Sequence, residues 1–122
     1  MTDAKKLVNE YLSAFYAGDF ARAGTHVAED FRFKGPFVDA SDKRAFFESA
    51  GRLAPIVRGY DMLHQWQEDN DVCSIFDLRL QTPLGSGSVT CCEWHTVRDG
   101  ALVAGRVILD TAAFRTLVSP AR

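Results

Sequence analysis

Two cysteines, a glutamate and a histidine stand close together at Cys91, Cys92, Glu93 and His95, just before the Asp99-Gly100 pair. Three chemistries use these residue types: a metal centre, a thiol nucleophile with its base, or polar points on a pocket wall. Strand geometry separates them. On a strand Cys91, Glu93 and His95 share one face, with successive same-face residues about 6.6 Å apart. The outer two are then about 13 Å apart, whereas zinc needs every donor at about 2.0–2.3 Å. For the same reason Cys91 is too far from His95 for the hydrogen bond that activates a thiolate. Cys92 points to the opposite face. Glu93 and His95 remain as same-face neighbours, with neither a metal nor an organic cofactor expected.

The Asp99-Gly100 pair is a strong signal for a two-residue hairpin loop. That loop sets Glu93 opposite Arg106, His95 opposite Ala104, Cys91 opposite Ile108 and Val89 opposite Asp110. One face then gathers Glu93, His95, Arg106 and Asp110. Two readings stay open. The face is an outer sheet surface carrying a Glu93–Arg106 ion pair, worth about 0.2–1 kcal/mol. Or it lines a cavity, where a buried carboxyl can serve as a proton donor. A bulge in the last strand would instead turn Gly105, Val107 and Leu109 inward.

The elements that must position these residues follow from periodicity. Leu7, Tyr11 and Phe15, with Val8 and Leu12 beside them, make the apolar stripe of a helix over Lys5 to Ala17. Gly18 ends it, and Asp19 caps a second helix that buries Phe20, Ala23 and Val27. Phe31, Phe33 and Phe37 belong to a short strand interrupted at Gly35-Pro36. Ser41-Asp42 opens a third helix with Phe46, Phe47, Ala50 and Leu53 inward. Beyond Pro55 the period becomes two. Tyr60, Met62, His64 and Trp66 form one strand face, and Val72, Ser74, Phe76, Leu78 and Leu80 form the next. A fourth segment carries Cys91 to His95, and the last strand runs from Ala101 to Phe114. Helices first and strands last predict an α+β fold, with helices packed on one face of a mainly antiparallel sheet.

The bulk numbers fit one domain over residues 1–122, 47% apolar and 25% charged. A net charge of −2 with scattered basic residues argues against nucleic acid as a partner. No stretch approaches a membrane span. The opening Met1-Thr2-Asp3-Ala4-Lys5-Lys6 shows no signal segment, and three cysteines give no paired framework. The expected setting is the cytoplasm, with reduced thiols.

The stretch "EYLSAFYAGDFARAGTHVAEDFRFKGPF" resembles the opening of the nuclear transport factor 2-like superfamily, and "EWHTVRDGALVAGRVILDTAAF" resembles the terminal hairpin of its SnoaL-like members. The resemblance implies a curved cone, three N-terminal helices inside a bent sheet, and a deep apolar pocket. It also implies a homodimer formed through the sheet. Ketosteroid isomerases, limonene epoxide hydrolases, polyketide cyclases, dehydratases and pure binding domains share this fold, so fold alone does not give function. Tyr11 falls where the isomerases have the tyrosine that hydrogen-bonds the steroid oxygen, and Glu93 falls near their second acid. Their general base is replaced here by Gly35. The Arg and Asp positions of the epoxide hydrolases meet Phe76, Leu78 and Val107. In the polyketide cyclases an aspartate and histidines shape the pocket, and Asp110 and His95 are the nearest counterparts.

The expectation is a pocket for a small hydrophobic molecule, lined by Phe15, Phe33, Phe47, Met62, Trp66, Phe76 and Asp110. Tyr11, Glu93 and His95 are its candidate catalytic residues. In cofactor-free acid–base chemistry His95 would be the base, and Tyr11 with Glu93 would donate to an oxyanion. The alternative is a non-catalytic ligand-binding or dimerisation module, which the loss of the isomerase base favours.

Overall fold

A computed structural model describes residues 3–118, so Met1 and Thr2 of the opening lie outside it. Each of the four α-helices among the described residues begins at an aspartate. Asp3 accepts from Lys6 N and starts α1, Ala4–Tyr16. Asp19 accepts from Arg22 N and starts the short α2, Phe20–Gly24. Asp42 accepts from Ala45 N and starts α3, Lys43–Leu53. Asp110 accepts from Ala113 N and starts α4, Thr111–Val118. Each carboxylate satisfies an amide that the first helical turn leaves without a partner.

Six strands among the described residues form one mixed sheet in the order β2-β1-β6-β5-β4-β3. They are β1 Val27–Lys34, β2 Asp39–Ala40, β3 Val57–Glu68, β4 Asp71–Thr82, β5 Gly85–Arg98 and β6 Ala101–Leu109. Only β1 with β6 runs parallel; the other pairings are antiparallel. The α+β architecture is the one expected from helices gathered before strands. Two boundaries differ. Val27 begins β1 rather than ending α2. The last strand stops at Leu109, because Asp110 caps a helix whose Phe114, Leu117 and Val118 recur at helical spacing.

Two bulges decide which residues face inward. At the β5–β6 turn Asp99 and Gly100 both take positive φ, 53° and 76°, as a two-residue hairpin requires. Arg98 pairs with Ala101 and Val97 with Leu102. The register then slips, and Thr96 pairs with Ala104, His95 with Gly105, Glu93 with Val107 and Cys91 with Leu109. Arg106 is thereby turned outward and exposed, and Glu93 has no ion pair with it. The second bulge lies between Met62 and His64 of β3. Beyond it Gln65 faces inward, where its amide donates to Ser74 Oγ and Asn9 Oδ1. His64 and Trp66 pair instead with Ile75 and Cys73 on the outer face.

The helices cover the inner face of the sheet. Val8, Leu12, Phe31, Val72 and Leu102 are wholly buried between the layers, each contributing about 1.5–3 kcal/mol by leaving water. No helix among the described residues is long and apolar enough to cross a membrane.

Candidate functional site

β5 alternates strictly: Val89, Cys91, Glu93, His95 and Val97 are buried, and the residues between them are not. Glu93 and His95 therefore point into the molecule. Glu93 is 5% exposed and His95 is not exposed at all. Such burial of two polar side chains needs partners, since an unpaired buried charge is costly. Tyr16, the last residue of α1, supplies one. Its hydroxyl donates to Glu93 Oε2 at 2.5 Å.

His95 supplies a different contact. Its Nε2 lies 3.2 Å from Glu93 Oε1. The approach does not make a hydrogen bond, and neither ring nitrogen has another partner among the described residues. The ring stands edge-on to Tyr11 with centroids 5.4 Å apart. Gly105 permits this position. A Cβ there would sit 3.0 Å from Phe31 Cζ and 3.3 Å from His95 Cδ2.

In front of this cluster lies a cavity of about 680 Å³, the size of an ordinary small-molecule site. Its wall is mostly apolar, from Phe15, Phe33, Phe46, Leu78, Val107 and Leu109 among others. α4 and the β1–β2 loop fence its mouth, where Phe37 stacks on Phe114 with centroids 5.2 Å apart. Tyr11, Tyr16 and Glu93 reach the wall; His95 does not. His95 is instead a neighbour of Glu93, which does line the cavity.

The expected lining residues divide. Phe15 and Phe33 line the cavity. Phe47 packs behind it against Phe20 and Phe46. Phe76 is fully buried, with Tyr16 and Tyr60 edge-on to it at 5.5 Å. Trp66, 49% exposed, is carried to the outer face by the β3 bulge, and Met62, 38% exposed, sits on the sheet's edge strand beside that bulge. Asp110 is exposed and occupied as the α4 cap. Tyr16 lies one residue beyond the apolar stripe that ends at Phe15. The row Val8, Leu12, Tyr16 continues it by one turn.

Burial holds the Tyr11 and Tyr16 hydroxyls well above the usual phenol range, and the Glu93 carboxylate adds to both. Both therefore remain proton donors at neutral pH. The thiol of Cys91, also on the wall, is pushed up to about 12 by burial first and by Glu93 second. It is an inert thiol, not a thiolate.

No curated protein matches this sequence. Solved structures do. An NTF2-like protein of unknown function from Burkholderia pseudomallei is 14% identical with a TM-score of 0.86, over 98% of this chain and 100% of that one. Another NTF2-like protein of unknown function, from Cytophaga hutchinsonii, is 19% identical with a TM-score of 0.76, over 93% and 96%. TerC, co-crystallised with polyporic acid, is 14% identical with a TM-score of 0.83, over 98% of this chain and 100% of that one. At these identities the likeness is one of fold. The sequence itself matches the SnoaL-like domain model over residues 8–105, and the chain belongs to that family.

Proposed function

We propose that the protein binds a small, mostly apolar molecule in this cavity and performs cofactor-free acid–base chemistry on it. One observation carries the reading: Glu93 is the only carboxylate among the described residues of a mostly apolar wall, and Tyr16 donates to it. Each carboxylate oxygen accepts two hydrogen bonds, so Glu93 keeps free lone pairs toward the cavity. Glu93 takes a proton from an acidic C–H of the ligand, holds it as the carboxylic acid and returns it at a second position. Tyr11, whose hydroxyl is not used by Glu93, donates to the ligand oxygen on which charge develops. His95 lies beside Glu93. A TerC crystal containing polyporic acid supports small-molecule binding in this fold.

Turnover of candidate carbonyl compounds by purified protein tests the reading. Glu93→Gln should abolish turnover while ligand still binds, and Tyr11→Phe should lower it roughly a hundredfold. A Glu93→Gln protein that turns over substrate at the wild-type rate sinks the assignment.

A second reading, a binding module without chemistry, is favoured by Gly35. A Cβ at this position, where the isomerases resembled by the sequence hold their base, would lie 2.7 Å from Val107 Cγ1. A side chain there would force Val107 to shift. A ligand recovered unchanged, held equally by wild type and Glu93→Gln, would establish that alternative.

The same proposal makes the protein a homodimer through the outer sheet face, supported by Trp66, Trp94 and Ile108, each about half exposed or more. Its setting would be the cytoplasm, supported by three free cysteines.

A further inference from the structure

The ligand's other end can be read from the charges around the cavity. Only two charged side chains line it among the described residues, Glu93 and Arg52. They lie at opposite depths. Glu93 is 5% exposed at the floor, whereas Arg52, in the last turn of α3, is exposed at the rim.

Among the described residues Arg52 has no ion-pair partner. The residue one helical turn before it, Glu48, is the natural i, i+4 partner. Glu48 instead accepts from Arg44 Nε at 3.2 Å. A guanidinium presents its donors as a planar fork suited to a carboxylate, sulfonate or phosphate group. The floor repels the same group, because like charges in a poorly screened cavity oppose one another strongly.

We infer that the cavity takes an amphiphilic organic anion, bound with its apolar body inside and its acidic group at the rim on Arg52. This rests on the reading of the cavity as a ligand site and fixes the ligand's orientation within it. The part of the molecule presented to Glu93 and Tyr11 is then the end remote from the anionic group. A ligand acidic at its buried end is excluded, and so is one whose only charge is a cation at the rim.

Two fluorescent dyes with the same aromatic body test this. Anilinonaphthalene sulfonate is anionic, and phenylnaphthylamine is its neutral counterpart. Both are titrated against wild type, Arg52→Gln and Arg44→Gln. The sulfonate should bind wild type about fivefold tighter than the neutral dye. Arg52→Gln should remove that preference and leave the neutral dye's affinity unchanged. Arg44→Gln, on the same helix but away from the cavity, should change neither. Equal binding of both dyes to wild type overturns the inference and leaves the cavity reading standing. So does a preference for the sulfonate that survives Arg52→Gln. If neither dye binds, the cavity reading fails and the inference fails with it.

Discussion

Neighbouring residues of β5 live in opposite surroundings. Cys91, Glu93 and His95 look inward and are buried, whereas Cys92, Trp94 and Thr96 look outward, with Trp94 48% exposed. The usual polarity of a one-sided sheet is apolar inside and polar outside. Here the inner face carries a carboxylate and an imidazole, and the outer face carries tryptophan, with exposed Ile108 on the neighbouring strand. Both departures cost stability in an isolated monomer. The inner one fits the wall of the cavity, and the outer one fits the dimer contact proposed above. Polarity inversion, rather than residue type alone, sets this strand apart.

The largest expected effect separates packing from exposure. Phe76 on β4 is fully enclosed, so Phe76→Ala should cost about 3–5 kcal/mol in denaturant unfolding. Ile108, 63% exposed on the other face, should behave differently. Ile108→Ser should change monomer stability by less than about 0.5 kcal/mol and weaken self-association in sedimentation. A loss as large as that of Phe76→Ala, at concentrations where the protein is monomeric, would break the contrast.

A finer contrast lies within the inner face, between its two tyrosines. Tyr16 donates to the buried Glu93, and hydrogen bonds to charged groups are worth about 1.5–3 kcal/mol. Tyr16→Phe should cost that much, because Glu93 loses its donor and stays buried. Tyr11→Phe should cost under about 1 kcal/mol, since its hydroxyl does not serve Glu93. Equal losses would mean that Tyr11 is as structural as Tyr16, and would remove its proposed role toward the ligand.

Much of this contrast is legible in the sequence. Period-two alternation places Cys91, Glu93 and His95 together and sends Cys92 away, and Asp99-Gly100 locates the hairpin. Which face is inside is not legible from that strand, because its polar residues would suit a solvated surface equally well. The bulges are equally hidden. A single slip after Thr96 exchanges Arg106 for Val107 opposite Glu93, and another beside Met62 turns Trp66 outward. Bulge positions answer to the twist and closure of the whole sheet, not to a local residue pattern. The α4 helix is a different case. Asp110 followed by Phe114 and Leu117 was a readable start signal, overridden by the apolar strand preceding it.

The smallest effect sets Cys91 against its neighbour Cys92. Burial pushes the Cys91 thiol up to about 12. Cys92 is raised too, by burial first and then by the nearby Cys73 thiol, but it remains half-buried on the outer face. At pH 8, and at concentrations where the protein is monomeric, a small alkylating reagent should modify Cys73 and Cys92 in the folded protein and spare Cys91, as peptide mass mapping would show. The same shift predicts a pH dependence. A thiol that is harder to ionise when folded contributes stability that is fully present below its unfolded value near 9. That contribution is lost as the pH rises toward 12. At pH 10 the loss from Cys91 should be about 1 kcal/mol, with the raised tyrosines adding to it at higher pH. Cys91→Ala should make the decline from pH 9 toward 12 shallower, with Tyr11 and Tyr16 supplying what remains at the upper end. An unchanged decline in that variant would mean that Cys91 titrates alike in both states, and the distinction between the two faces would not extend to their thiols.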